Sequence, residues 1–591
     1  MVPVTVQREA VHHEPKSNYA YALDEERIQL RLRCKKGDLD DCTVIVADKF
    51  DWPSRETVSM ELVRSDAQFD YWQTTVKPEY KRLVYAFQLT AGDEVLWLTE
   101  WGFESATEND LPTAGKDRSL HYFEYPYLNA ADVISPPEWV GDAVFYQIFP
   151  ERFANGNPDL DPEGVEEWGG KPSQDSFYGG DLQGIIDNLD YLSELGITAL
   201  YLTPIFASES NHKYNITDYE QVDQQFGDQE TLSRLVDAAH NRGMRVVLDA
   251  VFNHCGRHFE PFQDVIEHGR DSEFVDWFHI NSFPIQFEPR PSYDTFGFES
   301  YMPKLNTENP EVKSYLIETA INWIEQTGID GWRLDVADEV DHQFWREFRQ
   351  AIKSVKPEAY IIGEVWHDAR PWLQGDQFDA VMNYPFLYAV DGFLGEESID
   401  GETFANKINR FLIRYADQTN EVLFNLLGSH DIARMRHRYD GSNRTVQIAM
   451  LLLLTSRGTP CLYYGDEIGM TGGDDPDCRR PMIWDDESQD RALHQNVSEL
   501  IKLRADHRSL RRGSLMFCRE RSGDDIVVYR RVDEGGEDAV TVAVNRGKTP
   551  VSISVKEDET GALCFTTSSD VASTDSAESI DIAGLAGAVW E

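Results

Sequence analysis

The sequence is short of positive charge. Its 591 residues include 55 Lys and Arg against 104 Asp and Glu, which gives a formal net charge of −49 at pH 7. A chain this acidic repels polyphosphate backbones and anionic membrane surfaces. We therefore expect neither a nucleic-acid partner nor a membrane partner.

Paired cysteines and long apolar runs are also lacking. The seven cysteines are scattered without a CxxC spacing, and their odd number favours reduced thiols over disulfides or a zinc site. Arg8 and Glu9 stand where a secretory signal needs apolar residues, and no run of about 18 apolar residues follows. These absences predict a cytoplasmic protein.

Length and composition indicate several globular domains. Hydrophobic residues make up 41% of the chain and aromatic residues 12%, which excludes disordered, collagen-like and coiled-coil chains. Domains of roughly 100 to 200 residues imply about three or more in a chain of this length. We predict an N-terminal β-sandwich similar to a carbohydrate-binding module, a (β/α)8 barrel with a loop domain inserted after its third strand, and a C-terminal antiparallel β-domain. The predicted bounds are 1–130, 131–508 with the insertion at about 251–305, and 509–591.

Alternating apolar residues predict the two β-domains. The runs 28–33, 43–46 and 83–87 suit half-buried strands of the first domain, and the run 539–544 suits the last. Pro136 and Pro137 mark a linker between the first domain and the second, because paired prolines remove backbone donors and stiffen the chain.

The central region repeats a helix, a glycine and a strand. Gly196, Gly243 and Gly328 each follow a helical apolar stripe and precede an apolar run, where a left-handed helix end is needed. Strands separated by helices imply right-handed βαβ units and a parallel sheet. Eight strands are predicted at 144–149, 197–202, 245–249, 331–335, 360–363, 378–382, 422–426 and 461–464. Eight favour a TIM barrel; the alternative is an open doubly wound sheet, although no GxGxxG follows the first strand.

Carboxylates and histidines gather at the carboxyl ends of these strands. They are Asp249 and His254 after the third strand, Arg333 and Asp335 in the fourth, Glu364 after the fifth, and His430 and Asp431 after the seventh. Any one carboxylate could cap a helix, but their coincidence where the βα loops converge indicates an active site. Several carboxylates with no lysine base or cysteine nucleophile of obvious spacing suit glycoside hydrolysis, which needs a nucleophile and a proton donor.

Four segments, in order, resemble the signature segments of the α-amylase family, glycoside hydrolase family 13. They are residues 249–254, 331–339, 364–367 and 427–431, and the resemblance extends to 146–153 at the first strand and 464–469 at the eighth. Residues 302–306 resemble the pentapeptide of the cyclomaltodextrinase, maltogenic amylase and neopullulanase group, and 15–21 resemble the extra N-terminal domain of that group. Asp338 stands where the group usually has Asn.

The resemblance assigns a role to each matched residue. It implies that Asp335 is the nucleophile, that Glu364 is the general acid and then the base, and that Asp431 stabilises the distorted sugar. Arg333, on the same strand face as Asp335, would keep that carboxylate ionised. The implied substrate-binding residues are His254, Arg333, His430, Tyr214, Asp249 and Trp366. The alternatives are a buried core position for Trp366, an ordinary loop position for Tyr214, and core positions for the two histidines.

Residues 155–161 carry oxygen donors at every second position, which suits a hard cation such as Ca²⁺. In the family this loop and residues 179–181 hold a structural calcium. By that match the ligands would be Asn155, Asn157, Asp161, Asp181 and the carbonyl of Gly179, with Leu160 at a position that is often Asn. The alternative is a polar turn rich in Asn and Pro.

The resemblance implies a retaining hydrolase of α-1,4-glucosidic bonds that acts on cyclodextrins, maltodextrins and pullulan and also transfers glycosyl units. It also implies a homodimer, in which the N-terminal domain of one subunit covers the active site of the other. The alternatives are an α-amylase or α-glucosyltransferase of the same family and a non-catalytic glucan-binding relative. The last alternative is disfavoured because Asp335, Glu364 and Asp431 are all present.

Overall fold

The structure is a computed structural model, and it describes residues 6–104, 122–573 and 578–591. By their contacts these residues form two compact units: Met1–Ser135 with Ile399–Asn420, and Pro136–Ser398 with Glu421–Glu591. No helix among the described residues has both the length and the apolarity needed to cross a membrane.

The first unit contains the predicted β-sandwich. One sheet pairs, in order, Ala20–Ala22, Ile28–Lys35, Phe69–Val76 and Glu61–Ser65. The other pairs Asp51–Ser59, Asp41–Asp48, Leu83–Ala91, Glu94–Thr99 and Gly102–Glu104, and Phe123–Tyr125 also pairs with Leu83–Ala91. Buried side chains from both sheets, including Leu30, Val44 and Phe87, form one hydrophobic core. The three strands predicted from alternation are present and longer than predicted.

The segment 399–420, predicted to lie within the barrel domain, belongs by its contacts to the first unit. The fully buried Arg31 explains this grouping. Its Nη1 donates to the carbonyl of Tyr415 (2.9 Å), and its Nη2 pairs with Asp417 (3.2 Å). A buried guanidinium needs such partners, so the segment satisfies a charge that the β-sandwich alone leaves unpaired.

The second unit is built on eight parallel strands. Barrel strands 1 to 8 are Phe145–Ile148, Ala199–Leu202, Arg245–Ala250, Gly331–Leu334, Tyr360–Gly363, Ala380–Val381, Phe424–Leu426 and Thr459–Tyr463. Strand 1 pairs with strands 2 and 8, and a parallel bridge from Met382 to Phe424 connects strands 6 and 7. The sheet is therefore a nearly closed barrel, which confirms the predicted fold class and excludes the doubly wound alternative.

Local sequence explains the connecting helices. Gly196, Gly243 and Gly328 have φ values of 96°, 75° and 77° and end helices in the left-handed conformation, as predicted. Asp228 and Asp341 accept backbone N–H groups at helix starts, where free donors need partners. The α-helices among the described residues are Glu138–Asp142, Pro150–Phe153, Leu182–Asp187, Leu189–Leu195, Gln229–His240, Glu260–His268, Pro310–Thr327, His342–Val355, Tyr384–Leu394, Gly401–Arg414, Asp417–Val422, Met435–Arg438, Asn443–Thr455, Arg491–Asp506 and Arg508–Arg512.

A small β-domain follows the last helix, as predicted. Its five-stranded sheet pairs Ser514–Phe517, Ile526–Val532, Ala539–Asn545, Ala586–Trp590 and Leu563–Thr566 in that order. A second sheet pairs Val551–Ser554, Ser579–Ile582 and Ala572–Ser573. A separate hairpin of Phe206–Ser208 and Ile216–Val222 follows barrel strand 2. This hairpin carries Tyr214 in its turn region.

Candidate active site

A cavity of about 980 Å³ lies beside the residues that end the barrel strands. Its size is at the upper end of the range for small-molecule sites. Seven of the nine residues predicted for catalysis and substrate binding line it: Tyr214, His254, Asp335, Glu364, Trp366, His430 and Asp431. The structure thus brings together residues that lie up to 217 positions apart in the chain.

The two remaining predicted residues, Arg333 and Asp249, are fully buried beneath the cavity wall. Nη1 of Arg333 contacts Asp335 Oδ1 (2.8 Å) and both oxygens of Asp249 (2.9 Å each). Its Nη2 contacts Glu364 Oε2 at 2.9 Å. A planar guanidinium thereby fixes the positions of three carboxyl groups, and it does so from below the surface that meets a substrate.

Asp249 is held by two tyrosines as well. Its Oδ2 accepts hydrogen bonds from Tyr201 (2.7 Å) and Tyr214 (3.0 Å). Tyr201 lies on barrel strand 2, and its side chain was not predicted to take part in the site. Asp249 is therefore a support for Arg333 and Tyr214, and its contribution to substrate binding is indirect.

Burial and the shared arginine act against each other on these carboxyl groups. Burial raises the pKa of Asp249 to about 6, and the Arg333 guanidinium opposes this rise. Burial also raises the pKa of Asp335 well above its ordinary value, again against Arg333, while the nearby Glu364 charge adds to the rise. One cation faces three carboxyl groups, so Asp249 and Asp335 retain protons to higher pH than free carboxyl groups do.

Both oxygens of Glu364 are held in place, whereas only one oxygen of Asp335 is held. The N–H of Val336 donates to Glu364 Oε2 (3.0 Å), and the indole N–H of Trp366 donates to Glu364 Oε1 (3.0 Å). Val336 has φ 45° and ψ 44°, a left-handed conformation that is strained for a β-branched residue. Asp335 Oδ1 is held by Arg333, whereas its buried Oδ2 has no hydrogen-bond partner. That free oxygen is the atom available to react.

Burial favours the neutral form of both predicted histidines. Burial lowers the pKa of His254 to about 3 and that of His430 well below its ordinary value. Gln147 Nε2 donates to His430 Nδ1 (2.9 Å), so the His430 proton lies on Nε2, within 2.6 Å of the Tyr214 hydroxyl. Nε2 of His254 is buried without a hydrogen-bond partner, 4.0 Å from Asp335 Oδ2. Neutral imidazoles can donate to sugar hydroxyls without adding charge to the site.

Asp431 also lines the cavity. Its Oδ1 is 3.2 Å from His430 Nε2 and 3.7 Å from Arg479 Nη2, and its buried Oδ2 has no hydrogen-bond partner. Arg479 also donates from Nε to the carbonyl of His430 (2.8 Å). Arg479 is thus a cationic residue of the cavity that the sequence analysis did not find.

Aromatic rings form the apolar part of the wall. Trp366 is 37% exposed, so the core position considered for it is wrong, and its ring stacks on Tyr384 at 3.6 Å. Phe296, from the predicted insertion, stacks on His254 at 5.0 Å. Tyr214 stacks on His430 with the two rings nearly parallel. Flat apolar faces beside hydrogen-bonding groups are typical of sites that bind sugar rings.

The pentapeptide 302–306 and Asp338 also reach the cavity. Met302 and Asp338 line it, and the chain around Lys304 bridges back to His254. Asp338 Oδ2 lies 3.1 Å from His367 Nε2. An Asn at this position would lack the negative charge, so the departure from the family pattern changes the charge of the wall.

The residues of the predicted calcium loop fall into two groups: those that fit a bound cation, and those whose side-chain oxygens accept hydrogen bonds from backbone N–H groups. Asn155 Nδ2 donates to Asp161 Oδ1 (2.7 Å), the buried Oδ1 of Asn155 has no hydrogen-bond partner, and Gly179 packs against both side chains. These three residues fit an oxygen-coordinated cation. Asp181 instead accepts from the N–H groups of Gly184 (2.6 Å) and Asn157 (2.7 Å), and the Asn157 side chain accepts from Asp159 N–H (3.3 Å).

Several site residues were not predicted. Gln147 and Tyr201 lie on strands 1 and 2, and the alternation of side chains along those strands was the one signal that could have pointed to them. Val336, Phe296 and Arg479 have no local signal, because their contacts depend on how loops fold over the barrel.

A barrel that holds three carboxyl groups on one arginine beside a cavity at its strand ends fits a glycoside hydrolase. The chain belongs to the α-amylase family: the family model described as alpha amylase, catalytic domain, matches residues 147–512. A second model, alpha amylase N-terminal ig-like domain, matches residues 6–129. The family resemblance drawn from the motifs is confirmed.

Similar proteins span nearly the whole chain. It is 51% identical over 561 residues to a cyclomaltodextrinase of Geobacillus thermopakistaniensis (strain MAS1), with 94% of each chain covered. It is 49% identical over 513 residues to neopullulanase 2 of Thermoactinomyces vulgaris, with 86% of each chain covered. A solved structure of a cyclomaltodextrinase matches with a TM-score of 0.91 and 45% identity, over 99% of this chain and 100% of that one.

The geometry predicts that Arg333→Met destabilises the protein by about 3 to 5 kcal/mol at neutral pH, because buried carboxylates lose their counter-charge. Without Arg333 the pKa values of Asp249 and Asp335 rise further, so the loss of stability should grow from pH 5 to pH 8 and shrink in acid. Urea unfolding of the variant and the wild type at several pH values measures this loss of stability. Arg242→Met, at the exposed pair with Asp190 (2.8 Å), is the control and should cost less than about 1 kcal/mol. Equal stability of Arg333→Met and wild type at every pH would contradict the assignment.

Proposed function

We propose that this chain is a retaining α-glucan hydrolase that cleaves α-1,4-glucosidic bonds of cyclodextrins, maltodextrins and pullulan and transfers glycosyl units to acceptors. The observation that carries the proposal is the double contact of the Arg333 guanidinium, with Asp335 at 2.8 Å and with Glu364 at 2.9 Å. One guanidinium touching both carboxyl groups favours the short separation of a retaining pair over the wider gap that admits a water in inverting enzymes. The names of the related cyclomaltodextrinase and neopullulanase support the substrate class.

In the first step Oδ2 of Asp335 attacks the anomeric carbon. The bond from this carbon to the glycosidic oxygen breaks, and Glu364 gives its proton to that oxygen. A covalent glycosyl-enzyme results. The free Oδ2 of Asp335 suits the attack, while the hydrogen bonds from Val336 and Trp366 hold Glu364 in its orientation.

In the second step Glu364 takes a proton from water, and the water oxygen displaces Asp335 from the anomeric carbon. A sugar hydroxyl in place of water gives transfer instead of hydrolysis. Asp431, through its unpaired Oδ2, and the neutral His254 and His430 provide hydrogen-bonding groups for the sugar in the oxocarbenium-like state. Trp366 and Phe296 offer apolar faces for neighbouring sugar rings.

The mechanism predicts that Asp335→Asn and Glu364→Gln each lower kcat by several orders of magnitude without unfolding the protein, because each removes one of the two reacting groups. Initial rates and melting temperatures measure both effects. Asp190→Asn, a carboxylate-to-amide change on the exposed surface, is the matched control and should leave kcat unchanged. Near-wild-type rates in either catalytic variant would exclude the assigned role.

The same rate measurements distinguish the substrate classes. β-Cyclodextrin, pullulan and soluble starch are compared at equal glucose-unit concentration, with the products separated by chromatography. We expect faster hydrolysis of the cyclodextrin, and panose from pullulan. A strong preference for starch would instead favour an ordinary α-amylase with an open cleft.

We further propose that Asn155, Asp161 and the carbonyl of Gly179 bind a structural Ca²⁺ ion. The unpaired Oδ1 of Asn155 beside Asp161 supports this. Treatment with EDTA should lower the melting temperature, and added Ca²⁺ alone should restore it, because an ion that binds only the folded state stabilises it. Asp161→Asn should weaken this response and Asp159→Asn should not. A melting temperature unchanged by EDTA would favour a plain polar turn.

The predicted cytoplasmic location and homodimer also remain proposals. Six of the seven cysteines are buried free thiols, which suits a reducing compartment.

Phe50 and Tyr80 of the first unit are 72% and 54% exposed and flank the same Arg82 guanidinium, which gives an apolar surface suited to a second subunit. Gel filtration of the wild type should give twice the mass of one chain. The double variant Phe50→Ser with Tyr80→Ser should give a lower apparent mass. A single-chain mass for the wild type would contradict the dimer.

A further inference from the structure

Far along the chain from the catalytic residues, His507, Cys564 and Glu591 lie together. One ring nitrogen of His507, the sulfur of Cys564 and one carboxylate oxygen of Glu591 are all within 4.8 Å of one another. His507 lies between the helices Arg491–Asp506 and Arg508–Arg512, whereas the other two residues belong to the C-terminal β-domain. The sequence shows no motif here, because the three residues are separated by 57 and 27 positions.

The backbone fixes Cys564 and Glu591 in place. Leu563 pairs with Trp590 in the five-stranded sheet. Beyond this pair, the N–H of Glu591 donates to the carbonyl of Ala562 (3.1 Å), and the N–H of Gly561 donates to the carbonyl of Glu591 (2.9 Å). The thiol and the carboxylate therefore project from two hydrogen-bonded neighbouring segments.

His507 is oriented by a carboxylate. Its Nδ1 lies 2.9 Å from Asp538 Oδ1, and the other Asp538 oxygen accepts the N–H of Ser509 at 2.7 Å. A proton on Nδ1 toward Asp538 leaves the lone pair of Nε2 free to bind a ligand. This carboxylate–histidine arrangement is the one that metal-binding histidines use to fix their tautomer.

Cys564 is accessible, unlike the other cysteines. The other six are buried, whereas Cys564 is partly exposed at the wall of a cleft of about 570 Å³. Glu499 and Asp506 line the same cleft together with Lys502, and two carboxyl groups against one ammonium favour a cation there. The cleft gives an ion a path to the thiol, which a bound metal requires.

We propose that His507, Cys564 and Glu591 form a binding site for Zn²⁺ or a similar thiophilic divalent cation, which ties the last barrel helix to the C-terminal β-domain. A thiolate, an imidazole and a carboxylate together select zinc over Ca²⁺ or Mg²⁺, which prefer oxygen ligands alone. Three protein ligands leave the fourth tetrahedral position for water. On binding, the sulfur–metal bond forms as the thiol proton passes to solvent.

The first experiment uses the full-length wild-type protein, stripped of metal and then kept in excess Ca²⁺. Titration with Co²⁺ should give a thiolate-to-cobalt charge-transfer band that saturates at one equivalent and is displaced by Zn²⁺. Ellman's reagent should modify one thiol rapidly in the native protein, and Zn²⁺ should protect that thiol. Absence of the band, or an unchanged thiol reaction rate with Zn²⁺, would overturn the proposal even if Cys564 variants fail to fold.

Variants then test the assignment of the ligands. Cys564→Ser and His507→Ala should abolish the charge-transfer band, and Asp538→Asn should lower the affinity by about 10- to 100-fold because the imidazole loses its orientation. His268→Ala is the matched control, since His268 lies 2.9 Å from Asp264 in an exposed histidine–carboxylate pair. Its binding should equal that of the wild type. Equal cobalt binding in wild type and Cys564→Ser would place the metal elsewhere and refute the site.

Discussion

The contact between Arg333 and its three carboxyl groups is the interaction on which the rest of the site depends. A guanidinium with no exposed surface needs anionic partners, and Asp249, Asp335 and Glu364 supply them from barrel strands 3, 4 and 5. The same contacts fix the separation and orientation of the two groups assigned to chemistry. The barrel therefore cannot exchange Arg333 for another residue without losing both stability and the geometry of the site.

The site is built in two layers. In the lower layer Arg333, Asp249 and Tyr201 hold one another and have no contact with solvent. In the upper layer Asp335, Asp431 and His254 each keep one buried polar atom without a protein partner, and Glu364 and His430 lie beside them. Unpaired buried oxygens and a strained Val336 reduce folding stability, and functional sites retain such features because a substrate or a transition state satisfies them.

The loops that follow the barrel strands determine which sugars can reach these carboxyl groups and histidines. The stretch 296–302, Trp366 and Arg479 follow barrel strands 3, 5 and 8, and all three contribute to the wall of the cavity. Barrel strands fix the reacting groups, whereas these connections set the shape and charge of the space around them. Asp338 adds a carboxyl group to this wall and lies 3.1 Å from His367 Nε2.

The sequence by itself determined the barrel, the positions of its eight strands and the carboxyl groups at the strand ends, because strand and helix periodicities are local and strand ends are recognisable. Predicted bounds of the barrel strands differ from the observed ones by at most two residues at either end. Tertiary structure alone decided that 399–420 belongs with the first unit, that Gln147, Tyr201 and Val336 support the site, and that Trp366 is exposed. It also brought Cys564 beside His507 and Glu591, although the cysteine spacing had argued against zinc. These features depend on contacts between residues far apart in the chain, and no local pattern records such contacts.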